Sequence, residues 1–277
     1  MQRELQFRNY SPKTISSYLT ALNVLSNYFG ISPDKITNDQ LKNYLQKRAL
    51  QDEASPSTIN QVISAFKILQ VDILGNDWGN FRVKRAKRKK LLPVVISKEE
   101  IAELITVTKN LKHKSILSLT YSSGLRKSEV RHIKLADIDS KRMQVKVSQG
   151  KGKKDRYTLL SMTTLELLRE YYIKYKPTDY LFPGWDQTAP ISETTINVVF
   201  KRAVQLAGIK KKVYFHCLRH SFATHLLEQG TNLKIIQQLM GHTSFKTTSI
   251  YLHVAMIDAV SVTSPGDTLN FCYDDEL

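Results

Sequence analysis

Two histidines and an arginine fall within five residues of one another in the stretch 215–225, and their side chains can donate hydrogen bonds to an anion. Arg219 follows His216 by three residues, so one helical turn presents both side chains to the same point. A guanidinium group suits a phosphate, because it donates in a planar and bidentate way. The spacing alone is also compatible with a core helix that carries a few surface cations.

The residues that follow indicate the helix that would position this cluster. Phe222, Leu226 and Leu227 recur at helical spacing, and Gly230 stands where glycine is favoured, just past a helix end. We therefore expect a helix whose inner face is buried and whose first turn carries the polar side chains.

Three other stretches accompany this helix along the chain. Residues 124–129 read Gly-Leu-Arg-Lys-Ser-Glu, residues 239–242 read Leu-Met-Gly-His, and Tyr251 stands nine residues after that Gly-His. Together with His-Cys-Leu-Arg-His at 216–220, they resemble the four signature boxes of the tyrosine recombinases, above all the Xer-type and integrase-type members. The resemblance covers roughly residues 11–254, and the order and spacing of the boxes are highly specific together.

The first part of the chain has helical signals only. Helix starts at Ser11, Thr37 and Ser55 precede apolar residues at helical spacing and predict a small helical bundle in residues 1–80. The resemblance implies that this bundle is a DNA-binding domain.

The second part mixes helices with a short strand pair. A capping-box pattern at Ser97 opens its first helix, and alternation at 143–147 and 156–160 predicts a β-hairpin. The resemblance makes residues 97–254 a mixed α+β catalytic domain of tyrosine recombinase type. The expected fold class is therefore mainly α with a small β-hairpin or sheet.

The resemblance also assigns roles to single side chains. Arg126 and Arg219 would clamp a phosphate, and Glu129 would support Arg126. His216 and His242 would donate hydrogen bonds to the non-bridging oxygens. On the residues alone, Arg126 could equally be a surface arginine paired with the glutamate three positions later. The expected catalytic residues are Arg126, Lys151, His216, Arg219, His242 and Tyr251.

A nucleophile and a proton donor complete the expected site. Tyr251 would attack the scissile phosphodiester and form a 3′-phosphotyrosyl link; without the other boxes it would be an ordinary interfacial aromatic. Lys151 matches the Gly-Lys-Gly of the family's hairpin and would protonate the leaving 5′-oxygen, although Lys153 and Lys154 lie close to it. His220 would support the expected catalytic residues without contacting the phosphate itself.

The chain is strongly basic, with a net charge of +16 and a pI near 9.7, which indicates a polyanionic partner. Nucleic acid is the first candidate and an anionic membrane surface the second. Seven of the nine residues 82–90 are basic, which predicts a linker at 81–96 that is either merely solvated, a localisation signal, or in contact with a DNA backbone. The expected DNA-binding residues are Lys13, Lys42, Arg48, Arg82, Lys84, Arg85, Lys87, Arg88, Lys89, Lys90, Lys153 and Lys154.

Several classes of protein are disfavoured. No apolar run approaches the length that spans a bilayer, the basic run has no apolar face to insert, and the N-terminus lacks a signal-peptide pattern. Cys217 and Cys272 form neither a disulfide framework nor a metal-ligand pair. We therefore expect a reduced cytoplasmic protein with no metal, cofactor or membrane contact. The acidic tail 255–277 is expected to be a subunit-docking segment or a disordered end.

The resemblance implies a site-specific DNA recombinase that acts through a Holliday junction. It would work as a homotetramer on paired recombination sites in double-stranded DNA and be a monomer or dimer when free. A non-catalytic DNA-binding protein of the same fold is one alternative, and the complete set of expected catalytic residues argues against it. A type IB topoisomerase shares the chemistry, but the helical N-terminal domain favours the recombinase.

Overall fold

Contacts divide the chain into two compact units, Met1–Leu91 and Leu92–Leu277, and the division falls inside the segment 81–96. The described part of the first unit contains helices, and the second unit adds a three-stranded sheet. This confirms the predicted class, mainly α with a small sheet. The computed structural model describes residues 1–78, 85–87, 92–148 and 155–255.

Local capping chemistry begins three helices of the first unit where the sequence predicted them. Ser11 and Ser55 accept hydrogen bonds from backbone N–H groups three residues later, and Thr37 forms a full capping box with Gln40. Gly30 ends the second helix in the left-handed conformation, at a φ of 66°. The elements are α1 (Gln2–Phe7), α2 (Pro12–Phe29), α3 (Asn38–Leu50) and α4 (Pro56–Lys67), with a 3₁₀ turn at Pro33–Lys35 and a π-helical stretch at Ile68–Ile73.

The apolar stripes of these helices form the core of the first unit. Leu25 of α2, Leu41 of α3 and Phe66 of α4 are fully buried together. A smaller cluster around Leu5 and Ile15 attaches α1 to α2. The helical spacing read from the sequence thus corresponds to faces that are shielded from water, which is the main source of stability for short helices.

The second unit has eight helices and three short strands in its described part. The strands pair antiparallel in the order β1-β2-β3, so the predicted hairpin gains a third strand. Its elements are α5 (Lys98–Thr106), α6 (Leu111–Ser123), α7 (Lys127–His132), β1 (Ile138–Asp139), β2 (Gln144–Val147), β3 (Arg156–Leu159), α8 (Met162–Tyr175), α9 (Glu193–Leu206), α10 (His216–Glu228), α11 (Leu233–Met240) and α12 (Phe245–Thr248), with 3₁₀ turns at Leu135–Asp137 and Ser249–His253.

Helix α6 is central to this unit, with α8 and α10 packed against it. Its Ile116, Leu117 and Leu119 are completely buried, so it has no solvent face along that segment. A second apolar cluster joins α10 and α11 to the 3₁₀ turn Ser249–His253. None of the helices in the described ranges is long and apolar enough to cross a membrane.

Candidate active site

Five of the six predicted catalytic residues lie in the described part of the chain, and four separate elements bring them together. Helix α10 supplies His216 and Arg219 in its first turn. The residue before α7 is Arg126, His242 follows the end of α11, and Tyr251 lies in the last 3₁₀ turn. The packing of α6 against α10, and of α10 against α11 and the last 3₁₀ turn, places these segments next to one another.

Arg219 is almost fully enclosed, with 1% of its surface exposed. Its guanidinium group donates to the carbonyl of Gly124 at 2.6 Å and to the carbonyl of Met240, and it lies 3.3 Å from Nε2 of His242. Burial first, and then the charge of Arg126, lower the pKa of Arg219 to about 9. The group therefore stays positively charged at neutral pH, in a place where water does not screen it.

Glu129 is a buried carboxylate that connects three arginines. Arg156 donates to both of its oxygens at 2.8 Å, in a bidentate pair. Arg126 donates from its side chain at 2.6 Å and from its backbone N–H at 2.7 Å, and a nitrogen of Arg219 lies 3.6 Å away. Burial alone would raise the pKa of Glu129, but the hydrogen bonds and charge of Arg156, and then the charge of Arg219, lower it to about 2. The carboxylate is therefore ionised at any physiological pH.

Arg156 was missed by the sequence analysis, which treated it only as the first residue of a strand. It extends from β3 to donate to the carbonyl of Leu239 at 2.8 Å as well as to Glu129, and only 9% of its side chain is exposed. Arg156 and the buried Thr158 share one face of β3. A charged side chain on the inward face of a strand needs a partner of opposite charge. The position of Arg156 in the strand pattern was therefore the one sign in the sequence that it pairs with a buried carboxylate.

The carbonyl groups that hold the arginines belong to the C-terminal ends of α6 and α11. Gly124 and Gly241 end these helices in the left-handed conformation, each at a φ of 59°. Arg219 donates to the carbonyl of Gly124, and Arg126 donates to the carbonyl of Gly241 at 3.2 Å. The last carbonyls of a helix lack helical partners and form the negative end of its dipole. Two helix ends thus stabilise the positive charge of the site.

His242 has a partner at each ring nitrogen. Its Nδ1 lies 2.9 Å from Oγ1 of Thr248, and its Nε2 faces Arg219. Gln237 fixes the backbone by donating to the His242 carbonyl at 3.1 Å. Burial, followed by the charges of Arg219 and Arg126, lowers the pKa of His242 to about 3, so its ring is neutral at pH 7.

Tyr251 is the candidate nucleophile and is 2% exposed. Its hydroxyl group lies 3.1 Å from Nδ1 of His220, whose ring packs edge-on against that of His216 with 4.7 Å between the ring centres. Burial raises the pKa of Tyr251 to about 12, although the charges of Arg219 and Arg126 act in the opposite direction. The phenol is therefore protonated in the free protein.

The two histidines of α10 are also neutral at pH 7. Burial, and then the charges of Arg219 and Arg126, lower the pKa of His216 to about 4. Burial and the neighbouring His216 do the same for His220, whose pKa is also about 4. Guanidinium groups, imidazole rings and a phenol thus lie close together, and groups of these kinds can bind a phosphate and attack it.

The predicted DNA-binding residues lie at or near the surface wherever the structure describes them. Arg48 pairs with Asp52 at 3.1 Å, and Arg85 donates to Oγ of Ser64 at 3.2 Å. Across the described ranges, no group of three or more His, Cys, Asp or Glu side chains could hold a metal ion. Among the predicted DNA-binding residues that the structure describes, the exposed ones are Lys13, Lys42, Arg85 and Lys87. The predicted catalytic and DNA-binding residues outside the described residues are Arg82, Lys84, Arg88, Lys89, Lys90, Lys151, Lys153 and Lys154.

Known proteins resemble this chain in both sequence and fold. Residues 94–257 match the phage integrase family, and residues 1–80 match the N-terminal SAM-like domain of phage integrases. The chain is 37% identical to the Sinorhizobium fredii protein y4qK, over 97% of this chain and 88% of that protein. It is 33% identical to the tyrosine recombinase XerA of Pyrococcus horikoshii, over 90% of this chain and 86% of XerA.

Among solved structures, the XerH site-specific recombinase bound to its difH substrate has a similar fold. The TM-score is 0.70 at 23% identity, covering 91% of this chain and 80% of that one. The buried arginines, the histidines and the enclosed tyrosine described above therefore lie on the fold that such enzymes share. The chain belongs to the phage integrase family of tyrosine recombinases.

Proposed function

We propose that this protein is a site-specific recombinase that cleaves and rejoins DNA strands through a 3′-phosphotyrosyl intermediate on Tyr251. The observation that carries the proposal is the setting of the Tyr251 hydroxyl group. It is buried, it is bonded to His220, and the charges of Arg126 and Arg219 act on it. A phenol that is only structural would not need two cations in its neighbourhood.

The phosphate would bind against Arg126 and Arg219, which would stabilise the charge that develops on the phosphorane oxygens. His216 and His242 would add hydrogen bonds to the non-bridging oxygens. An anion at this point would oppose the arginine charges that now lower the pKa values of both histidines, so their rings would gain protons more easily. Preorganised donors of this kind typically contribute about 3 kcal/mol each.

The departing 5′-oxygen needs a proton, and Lys151 is our candidate for the donor. The phosphate bond energy is retained in the tyrosyl link, so no nucleotide is consumed and a second 5′-hydroxyl can reverse the step. Exchange between two duplexes would pass through a Holliday junction on a homotetramer. Residues 1–80 and the basic linker 81–96 would hold the DNA, and the tail 255–277 would contact a neighbouring subunit.

Covalent trapping tests the proposal. The full-length protein is incubated with nicked duplexes that carry the site selected by the protein from DNA around its own gene, and the products are separated under denaturing conditions. We expect a protein–DNA adduct with wild-type protein and none with Tyr251→Phe, which should still bind the site. Tyr121→Phe is the matched control, because Tyr121 also bonds a histidine of α10, and it should form the adduct.

An adduct that persists in Tyr251→Phe would assign the nucleophile to another residue. Exchange of strands between two sites in a plasmid, with supercoils relaxed only where a site is present, would separate the recombinase from a topoisomerase. Binding without any adduct by the wild-type protein would contradict the proposal.

A further inference from the structure

The Tyr251 hydroxyl group bonds to His220, a histidine that has no contact with the phosphate in the proposed arrangement. Nδ1 of His220 lies 3.1 Å from the phenolic oxygen, a normal hydrogen-bond length. His216 stands one helical turn earlier and contacts His220 ring to ring. Of these two histidines of α10, His220 is therefore the one that bonds the attacking oxygen, and His216 contacts His220.

Three ionisable groups face His220. His216 and Arg219 belong to its own helix, and Tyr251 comes from the last 3₁₀ turn. Burial first, and then His216 and Arg219, keep the ring uncharged at neutral pH. In the tautomer with its proton on Nε2, the neutral ring presents a lone pair on Nδ1 to the phenolic O–H. Tyr251 needs such an acceptor, because burial stabilises its protonated form.

We propose that His220 is the general base of DNA cleavage and takes the proton of Tyr251 as its oxygen attacks phosphorus. This inference rests on the proposed role of Tyr251 as the nucleophile. The bound phosphate brings negative charge to the site and so raises the proton affinity of the imidazole when the transfer takes place. His216 then remains available to donate to the phosphate.

The step balances without a further reactant. The bond between the Tyr251 oxygen and phosphorus forms, the phenolic proton moves to Nδ1 of His220, and the bond from phosphorus to the 5′-oxygen breaks. The 5′-oxygen receives its proton from the general acid, for which Lys151 is the candidate. On rejoining, the 5′-hydroxyl gives its proton back to the Lys151 candidate as its oxygen attacks phosphorus, the bond from phosphorus to the Tyr251 oxygen breaks, and His220 returns its proton to that oxygen.

The chain contains a matched pair for comparison on the same helix. Nδ1 of His225 lies 2.9 Å from the hydroxyl group of Tyr121, and burial lowers the pKa of His225 as well. The charged groups that act on this pair are Glu228, Lys98 and Glu99 rather than the active-site arginines. The second pair therefore has the same hydrogen bond without a phosphate site.

The test measures single-turnover adduct formation on the selected nicked duplex between pH 6 and pH 9. It compares wild-type protein, His220→Asn and His225→Asn. Asparagine keeps an acceptor oxygen near the position of Nδ1 but cannot take a proton. We expect His220→Asn to slow adduct formation at pH 7 by about 10²-fold or more, with unchanged DNA affinity and melting temperature. His225→Asn should keep the wild-type rate.

A role in holding the tyrosine and a role in taking its proton differ in two further readouts. Without a base, attack depends on the phenolate fraction, so the deficit of His220→Asn should shrink as the pH rises. Difluorotyrosine at position 251, a more acidic phenol, should restore most of the lost rate in His220→Asn and change the wild-type rate little. If His220→Asn lowers the melting temperature, the same comparison is made with His220→Gln.

Each outcome has a separate meaning. A wild-type rate in His220→Asn, or a deficit that neither pH nor fluorination relieves, would overturn the base role and leave the recombinase proposal standing. A failure of the wild-type protein to form any adduct on its selected site would overturn both.

Discussion

Glu129 allows three like charges to share a small buried volume. The guanidinium groups of Arg126, Arg156 and Arg219 would repel one another in a site that water barely reaches. Arg156 engages both carboxylate oxygens and so fixes the carboxylate, which in turn orients Arg126. Arg156 thus holds the carboxylate in place, and in our proposal Arg126 and Arg219 are the arginines that bind the phosphate.

This carboxylate should make the stability of the protein depend on pH. The pKa of Glu129 falls from 4.5 to about 2 on folding, so its contribution is complete above pH 4.5 and is lost as the pH falls towards 2. The shift corresponds to about 3 kcal/mol. We expect the difference in unfolding free energy between wild type and Glu129→Gln, measured in urea, to be large at pH 6 and much smaller at pH 2.5. Glu100→Gln, at a partly exposed capping box, should show little of this change.

The role of Lys151 can be tested through the leaving group. A proton donor matters for an alkoxide and little for a thiolate, which leaves without protonation. Lys151→Ala should therefore slow cleavage of an ordinary phosphodiester by about 10²-fold or more, and that of a 5′-bridging phosphorothiolate far less. Lys153→Ala and Lys154→Ala serve as controls. Equal slowing of both substrates would remove Lys151 from the acid role.

At the scale of elements, the site is built on the C-terminal ends of helices rather than on their N-terminal ends. Anions often bind at helix N-termini, whereas here the C-terminal carbonyls of α6 and α11 hold cations, and the cations are available to an anion. Two glycines make this possible because each ends its helix in a left-handed turn. The position of the arginines is therefore set by where two helices stop.

Substitution of one of these glycines tests the arrangement. A Cβ atom on Gly124 would stand 2.3 Å from a ring carbon of Phe222, whereas one on Gly208 would meet nothing within 4 Å. Both glycines have similar positive φ angles, 59° and 65°, so the cost of the backbone conformation is shared. We expect Gly124→Ala to lower the unfolding free energy by about 1–3 kcal/mol more than Gly208→Ala. Equal losses in urea denaturation would mean that the ring moves aside freely.

The sequence predicts local elements well and distant partners poorly. The capping boxes at Thr37 and Ser97 could be predicted because each needs residues only three positions apart. Strand β1 has two residues, too few for any alternation to be detected. The pairing of Arg156 with Glu129, and of His220 with Tyr251, depends on packing between elements far apart in the chain. The family resemblance supplied the main site residues but not these contacts.

At the scale of the whole molecule, the excess of basic residues belongs to a chain with two separate cores. Each unit has its own apolar cluster, formed by α2 to α4 in the first unit and by α6, α8 and α10 together with their neighbours in the second. The charge of +16 is then available for a polyanion rather than needed for folding. The densest part of it, residues 82–90, lies where the two units divide.

Neutralising this run should weaken the salt dependence of DNA binding. Each phosphate contact that is lost lowers the slope of log K against log salt by about 0.9. Changing all seven basic residues of 82–90 to glutamine should therefore reduce the slope by up to about 6, measured by fluorescence anisotropy on a labelled duplex. Replacing the arginines of the run with lysine keeps the charge and should leave the slope unchanged. An unaltered slope in the glutamine variant would place the run away from DNA.

The enclosure of Tyr251 also determines how the protein responds to reagents other than DNA. With a pKa of about 12, about one molecule in 10⁵ carries a phenolate at pH 7, against about one in 10³ for an ordinary tyrosine. Nitrating or acylating agents should modify exposed tyrosines such as Tyr157 and Tyr172 long before they reach this one. The nucleophile that we propose would thus be inert towards stray electrophiles.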